Sequence, residues 1–116
     1  MPNIIVDKSF EFAVRIVRLY QYLCKEKKEF VLSKQLLRCG TSIGANVNEA
    51  QNGQSKADFG SKMNIALKEA NETLYWINLL HATEYITKSQ YESIQKDAEE
   101  LKRLLVSICK STFKKM

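Results

Sequence analysis

The candidates for acid–base or metal chemistry in this chain include its single histidine, His81, and the carboxylates Glu69 and Glu72. A di-metal site in a helical bundle uses Glu-x-x-His motifs, in which a histidine follows a glutamate by three positions, and the sequence has none. A lone histidine beside an apolar helical stripe more commonly packs or caps than binds a metal. We therefore predict neither a catalytic residue nor a metal site.

The cysteines and glycines do not indicate a redox centre, a zinc site or a phosphate-binding loop. Cys24, Cys39 and Cys109 are odd in number and lack C-x-x-C spacing, which is typical of free thiols in a reducing cytoplasm. Gly40 and Gly44 match neither G-x-G-x-x-G nor the Walker pattern. No apolar run approaches the roughly 18–20 residues of a membrane span, and we expect no secretory signal. We predict a cytoplasmic protein without a cofactor or enzymatic activity.

The elements that must position these residues are helices. At 116 residues and a net charge of +5, the chain has the size of one domain, residues 1–116. Apolar residues recur at helical spacing, and no stretch alternates with a period of two. The predicted helices run over 7–28, 33–53, 56–82 and 88–114. The connections are short, so we predict an all-α fold, an up-down-up-down antiparallel four-helix bundle.

The ends of the predicted helices carry recognisable signals. Gly53 follows the second helix, as glycine commonly does after a C-terminus. The fourth helix has two candidate capping boxes, Ser89 with Glu92 and Thr87 with Gln90.

The first helix has more apolar surface than a bundle position requires. One group is Phe10, Ala13, Val14, Val17, Tyr20 and Cys24, and a second is Phe12, Ile16, Leu19 and Leu23. The remaining polar strip contains Glu11, Arg15, Arg18, Tyr22 and Lys25. A bundle helix needs an apolar face only a little over 100° wide, and this one spans about twice that width. We predict that the second group contacts another copy of the chain, giving a homo-oligomer. The alternative is a thick core that wraps this helix with Phe30 and Val31.

The stretch RCGTSIGANVNEA, residues 38–50, contains poor helix formers between two strong helical segments. On a helical wheel Ile43 lies on the core stripe, with Gly40 and Gly44 as adjacent notches. A notch lets a neighbouring backbone or a bulky side chain approach closely, which offsets the lost helix propensity. We expect Trp76 or the aromatic residues of the first helix to fill the notches.

A polar stripe of Arg38, Ser42, Asn46 and Glu49 borders the core on the same helix. In an antiparallel pair with the third helix, Arg38 should lie near Glu69 or Glu72, and Glu49 near Lys62. The favoured interpretation is a ladder of hydrogen bonds and ion pairs that sets the register of the two helices. The alternative is a ligand or RNA site.

The segments TSIGANVNEA (41–50) and ALKEANETLYWINLL (66–80) resemble the 23S rRNA intervening sequence proteins. The resemblance covers the chain in order and length. It implies a bacterial up-down bundle that assembles as a homopentamer, with no established catalytic activity. Some members are encoded within inserts of large-subunit rRNA genes. Related bundles are accessory proteins of retroelement reverse transcriptases, in which a basic surface is implicated in holding nucleic acid.

The positions that match the family motif are Arg38, Ser42, Ile43, Gly44, Asn46 and Glu49. A departure occurs at 48–50, where Asn-Glu-Ala replaces the Ala-Glu-Gly of many members. The alanine makes a helix break at this point less favourable.

Two non-enzymatic functions fit these observations. The first is RNA or other nucleic-acid binding by the basic residues of the first and fourth helices: Arg15, Arg18, Lys25, Lys96, Arg103, Lys110, Lys114 and Lys115. We expect that binding to be mainly electrostatic, since no aromatic platform is apparent among these residues. The net positive charge of this surface is reduced by three carboxylates, Glu11, Glu99 and Glu100. The second function is a scaffold that docks a partner protein such as a reverse transcriptase.

Overall fold

The structure, a computed structural model, describes residues 3–114, without the side chain of residue 114. It contains four helices: α1 (Ile4–Lys25), α2 (Leu32–Gln51), α3 (Lys56–Ala82) and α4 (Lys88–Lys114). Within the described residues there is no strand, so the predicted all-α bundle is confirmed. α3 and α4 have the predicted limits, whereas α1 begins and ends three residues earlier than the sequence suggested.

Each helix packs against two neighbours in an antiparallel, up-down-up-down arrangement. The antiparallel order of α1 and α4 is visible in two ion pairs, Lys8 Nζ to Glu100 Oε1 at 3.0 Å and Arg15 Nη1 to Asp97 Oδ2 at 2.5 Å. α2 and α3 form the most extensively packed pair, and each also packs against a second neighbour, α2 against α1 and α3 against α4. α1 and α4 form the least extensive of the adjacent pairs, so the bundle is most open along that seam.

Side-chain caps define where the later helices begin. Ser55 caps α3, since its hydroxyl accepts the N–H of Asp58 at 3.1 Å. Thr87 and Gln90 form the capping box of α4: Thr87 N–H donates to Gln90 Oε1 at 2.8 Å, and Gln90 N–H donates to Thr87 Oγ1 at 3.1 Å. Of the two candidate boxes, the structure therefore uses Thr87 and places Ser89 inside the helix.

The N-terminus of α2 is capped by Glu29, a residue that the sequence patterns did not single out. Its carboxylate accepts N–H groups from Val31, Leu32 and Ser33 at 3.0, 2.8 and 2.7 Å. Burial alone would raise the pKa of Glu29, but bonds from Leu32, Ser33 and Val31 stabilise the charged form and hold that pKa below its usual value. A buried carboxylate thus satisfies the orphan donors of the helix end.

The core corrects the predicted oligomer interface on α1. Phe12 is 2% exposed and Ile16 and Leu23 are fully buried, so these three side chains fill the interior of a single bundle. Leu19 is half-buried and packs against the same core. The prediction that these residues contact another chain is wrong because their stripe, which continues at Ile5, faces the bundle axis.

The other apolar group of α1 is the exposed one. Phe10 is 65% exposed, and Val14 and Val17 are 37% and 38% exposed. The alternative of a thicker core is also wrong, since Phe30 and Val31 are 53% and 71% exposed and do not cover this strip. α1 therefore presents an uncovered apolar strip, defined here as Phe10, Val14 and Val17.

The two glycines of α2 are notches, as predicted, but α1 fills them through different groups. A Cβ on Gly40 would lie 2.8 Å from both Cγ1 and Cγ2 of the buried Ile16. A Cβ on Gly44 would lie 3.2 Å from the backbone oxygen of Ser9. Neither Trp76 nor an aromatic residue of α1 occupies these positions. Gly44 lets the α1 backbone lie directly on α2, whereas Gly40 makes room for the Ile16 side chain.

We predict that Gly44→Leu lowers the free energy of unfolding by more than about 2 kcal/mol, although leucine is the better helix former. The added side chain must displace the backbone of Ser9, which cannot rotate away as a side chain can. The matched control is Ala45→Leu at the adjacent exposed position, with an expected change within about 0.5 kcal/mol. Thermal and urea unfolding measure both. A Gly44→Leu protein at least as stable as the parent would contradict the close contact.

Candidate nucleic-acid interface

The outer face of α4 carries a row of cationic side chains. Lys96, Arg103 and Lys110 follow each other at seven-residue spacing and are all exposed. At 1.5 Å per residue, the row extends over about 21 Å of the helix axis. Within the part of the chain that the structure describes, no carboxylate lies within ion-pair distance of any of the three. We call these three residues the α4 basic row.

Two more predicted basic residues fall at the C-terminal end of this helix. Lys114 is the last residue of α4, and its side chain is not described. Lys115 lies outside the described residues.

The structure gives Arg15 of α1 a structural role. Its guanidinium pairs with Asp97 and donates to the backbone oxygen of Ser93 at 3.2 Å and to the Ser93 hydroxyl at 2.9 Å. These bonds, with the pair of Lys8 and Glu100, tie α1 to α4. Much of the hydrogen-bonding capacity of Arg15 is therefore used inside the bundle.

Arg18 and Lys25 are exposed, but they lie far from Lys110, the last residue of the α4 basic row. Because the helices are antiparallel, Arg18 faces the N-terminal turns of α4, at the opposite end from Lys110. The predicted basic residues therefore do not form one compact patch. They lie along the length of the bundle, as an extended surface.

A groove of about 470 Å³ opens between α1 and the N-terminal turns of α4. Arg15 and Arg18 lie along it, and Tyr22 lines it as well. The expectation that no aromatic side chain accompanies the basic residues is therefore wrong. The signal was present in the sequence, since Arg15, Arg18 and Tyr22 are separated by three and four positions and share one side of a helix.

The polar stripe between α2 and α3 has the predicted partners. Arg38 pairs with Glu72, and its Nη1 lies 3.5 Å from Glu69 Oε2. Lys62 Nζ lies 3.1 Å from Glu49 Oε2. These pairs fix the register of α2 against α3, because a slip by one turn would separate both sets of charges.

The remaining residues of the stripe bond within their own helices. The Ser42 hydroxyl donates to the backbone oxygen of Arg38 at 2.7 Å, and Asn46 Nδ2 donates to that of Ser42 at 2.8 Å. Trp76 Nε1 donates to Glu72 Oε2 at 3.1 Å and so holds the carboxylate that pairs with Arg38. Arg38 and Glu49 therefore carry the pairs between the helices, whereas Ser42 and Asn46 bond to backbone oxygens of α2.

The residues considered for acid–base chemistry are engaged elsewhere. His81 stacks on the ring of Tyr91, with centroids 4.1 Å apart and planes inclined by 11°, so it has the predicted packing role. Burial raises the pKa of the Cys39 thiol and that of the Cys109 thiol, which keeps both protonated near neutral pH. Among the side chains that the structure describes, no three of His, Cys, Asp or Glu are grouped to hold a metal ion.

The apolar strip of α1 lines a shallow depression of about 480 Å³ together with Ala13 and the polar residues Arg18 and Gln21. An apolar surface rimmed by polar side chains is typical of a contact with another macromolecule. None of the described helices is long and apolar enough to cross a membrane.

Known proteins share the sequence pattern and the four-helix fold of this chain. The family model described as 23S rRNA-intervening sequence protein matches residues 2–107. The chain is 65% identical in sequence to a protein with unknown function from the S23 ribosomal protein family of Bacteroides thetaiotaomicron VPI-5482. The crystal structure of that protein has a resolution of 1.70 Å. The similarity covers 91% of this chain and 98% of that chain, with a TM-score of 0.90. No curated protein matches the chain.

We predict that Arg38→Met lowers the free energy of unfolding by about 1–3 kcal/mol, because it leaves the carboxylates of Glu69 and Glu72 together without a cation. Adding Glu72→Gln should recover part of that loss. The matched control is Lys62→Met, which breaks the more exposed pair with Glu49 and should cost at most about 1 kcal/mol. Urea titrations of the variants measure these differences. Equal losses for the two single variants would contradict the special role of Arg38.

Proposed function

This chain belongs to the family of 23S rRNA-intervening sequence proteins, and on that premise we propose that it is a non-enzymatic, nucleic-acid-binding protein. It acts in the cytoplasm as a homo-oligomer, a pentameric ring, and binds RNA or another nucleic acid through its basic outer surface. The observation that carries the proposal is the α4 basic row, an exposed series of cations without carboxylate partners among the described residues. Neither the family description nor that of the solved relative names a reaction.

The α4 basic row has the properties of a phosphate-binding surface. Cations that are already paired with carboxylates gain little from a phosphate, whereas unpaired ones displace the counterions condensed on a nucleic acid. Regular spacing along one helix suits a backbone of repeated charges. The net charge of +5 adds a long-range attraction for polyanions.

The apolar strip of α1 supports self-association. Phe10, Val14 and Val17 share one side of the helix, and no other part of the described chain covers them. Association of copies through this strip would remove apolar surface from water and repeat the α4 basic row around the assembly. Family resemblance suggests five copies.

An accessory subunit that docks a partner protein, such as a reverse transcriptase, is the second candidate. The observation that favours it is the connection between α1 and α2, where Phe30 and Val31 are 53% and 71% exposed at one end of the bundle. Adjacent exposed apolar residues at a loop suit contact with another protein.

We predict that changing Lys96, Arg103 and Lys110 together to glutamate abolishes RNA binding and leaves helicity intact. The matched control changes Lys34, Lys56 and Lys68 to glutamate. Those exposed lysines lie on α2 and α3, and the net charge changes equally. Fluorescence anisotropy with a labelled single-stranded RNA, at several salt concentrations, measures affinity. For the parent, the logarithm of affinity should fall with the logarithm of salt by about 0.7 per phosphate contacted.

Equal weakening by the two triple variants would mean that only net charge matters, which contradicts an interface on α4. A parent protein that does not bind RNA at low salt, or binds it with a flat salt dependence, would favour the accessory-subunit function.

We predict that Phe10→Glu with Val17→Glu gives smaller species that remain helical. Each charge would be buried without a partner in an interface built on the apolar strip, at a cost of several kcal/mol. The matched control is Ile65→Glu with Tyr75→Glu on α3, where the two side chains are 38% and 59% exposed. Sedimentation velocity measures the mass of each protein. An unchanged mass for the α1 variant would exclude the apolar strip from the interface.

A further inference from the structure

We propose that the groove between α1 and α4 binds one unstacked nucleobase of a single-stranded RNA, with the base on the ring of Tyr22 and an adjacent phosphate on Arg18. This inference rests on the proposed function and names a site within it. The α4 basic row supplies attraction along the backbone, whereas the groove adds a contact with a base.

The shape of the groove suits a small planar group. It lies along the least extensively packed pair of adjacent helices, and its volume of about 470 Å³ is within the range of about 300–1,000 Å³ for small-molecule sites. Ile94, which is 3% exposed, and the half-buried Leu19 form an apolar floor. Tyr22 is half-buried and packs against the core, so its ring is held in place at the side of the groove.

The charge of the groove suits a phosphate. Arg18 is exposed and, among the described residues, has no carboxylate within ion-pair distance. Arg15 is held in position by Asp97 and Ser93 and adds a second guanidinium beside it. The N-terminal turn of α4 also opens into the groove at Ser89 and Gln90, so the positive end of the helix dipole lies there.

The same groove offers hydrogen-bonding groups to the edge of a base. The Ser89 and Ser93 hydroxyls line it, and so does the side-chain amide of Gln90, whose oxygen already accepts the Thr87 N–H. A hydroxyl can donate or accept, so these groups tolerate several bases rather than selecting one. We therefore infer a preference for unpaired bases over paired ones, without strong sequence specificity.

The combination of an aromatic ring, an apolar floor and an exposed guanidinium favours single-stranded RNA over a duplex and over an acidic peptide. A base within a duplex is stacked and paired, and cannot enter a cleft between two helices. An acidic peptide would neutralise Arg18 but would make no particular use of an aromatic ring over an apolar floor. Stacking of bases on aromatic side chains is the usual contact of proteins that bind single strands.

The test compares a labelled short oligouridylate with an abasic ribose-phosphate oligomer of the same length and charge, by anisotropy at low salt. The parent protein should bind the oligouridylate about tenfold more tightly, since that is the contribution expected from one stacked base. Tyr22→Leu, which keeps an apolar contact with the core, should bind both oligomers equally, at the abasic affinity. The control, Tyr75→Leu on the exposed surface of α3, should behave as the parent.

A second variant distinguishes the loss of the aromatic ring from misfolding of the protein. Tyr22→Trp keeps an aromatic face and should retain the preference for oligouridylate, and its fluorescence should be quenched by oligouridylate but not by the abasic oligomer. Circular dichroism melts establish that the variants are folded. The salt dependence of Tyr22→Leu should equal that of the parent, because phosphate contacts are unchanged.

The outcomes separate this inference from the proposed function. Equal affinity of the parent for the two oligomers would overturn the base-binding groove and leave electrostatic RNA binding intact. A parent that binds neither oligomer would overturn both. Equal or tighter binding of a duplex of matched length, or of a polyglutamate peptide of matched charge, would also overturn the groove as a site for an unpaired base.

Discussion

The close approach of α1 to α2 is the constraint on which the rest of the bundle depends. Because Gly40 and Gly44 project no side chain from α2, the Ile16 side chain and the backbone of Ser9 lie directly against the backbone of α2. With Ile16 seated in the Gly40 notch, the side of α1 that carries Phe12, Ile16 and Leu23 faces the core, and the apolar strip faces outward. The position of the apolar strip thus follows from how α1 meets α2. α1 and α4 form the least extensive of the adjacent helix pairs, which leaves the seam between them open.

Much of the architecture could be predicted from the sequence because it depends on local periodicity and on simple antiparallel geometry. Apolar spacing gave the four helices, and antiparallel pairing correctly placed Arg38 beside Glu69 and Glu72. Charged pairs of this kind are visible in a sequence because both partners lie at predictable heights along two helices.

The orientation of α1 could not be predicted in this way. Both of its apolar groups have helical spacing, and their hydrophobicity does not decide which one faces the axis. That choice depends on packing against α2, where the notch at Gly40 accepts Ile16 and the notch at Gly44 accepts the backbone of Ser9. The groove beside Tyr22 was missed for a related reason, since its depth depends on the gap between two helices that are distant in sequence. Likewise, the cap at Glu29 depends on how the connection folds back over the start of α2.

The distribution of ion pairs explains why net charge is a poor guide to the binding surface. Arg15 and Lys8 contribute to the formal charge, yet both are paired across the seam with Asp97 and Glu100. On α1 and α4, the exposed cations without a carboxylate partner among the described residues include the α4 basic row, Arg18 and Lys25. One protomer therefore offers few phosphate contacts, and affinity at physiological salt would be modest because each contact contributes little there. In the proposed oligomer, neighbouring copies would act on one RNA strand at high effective concentration, so that assembly through the apolar strip would strengthen binding without any additional basic residue.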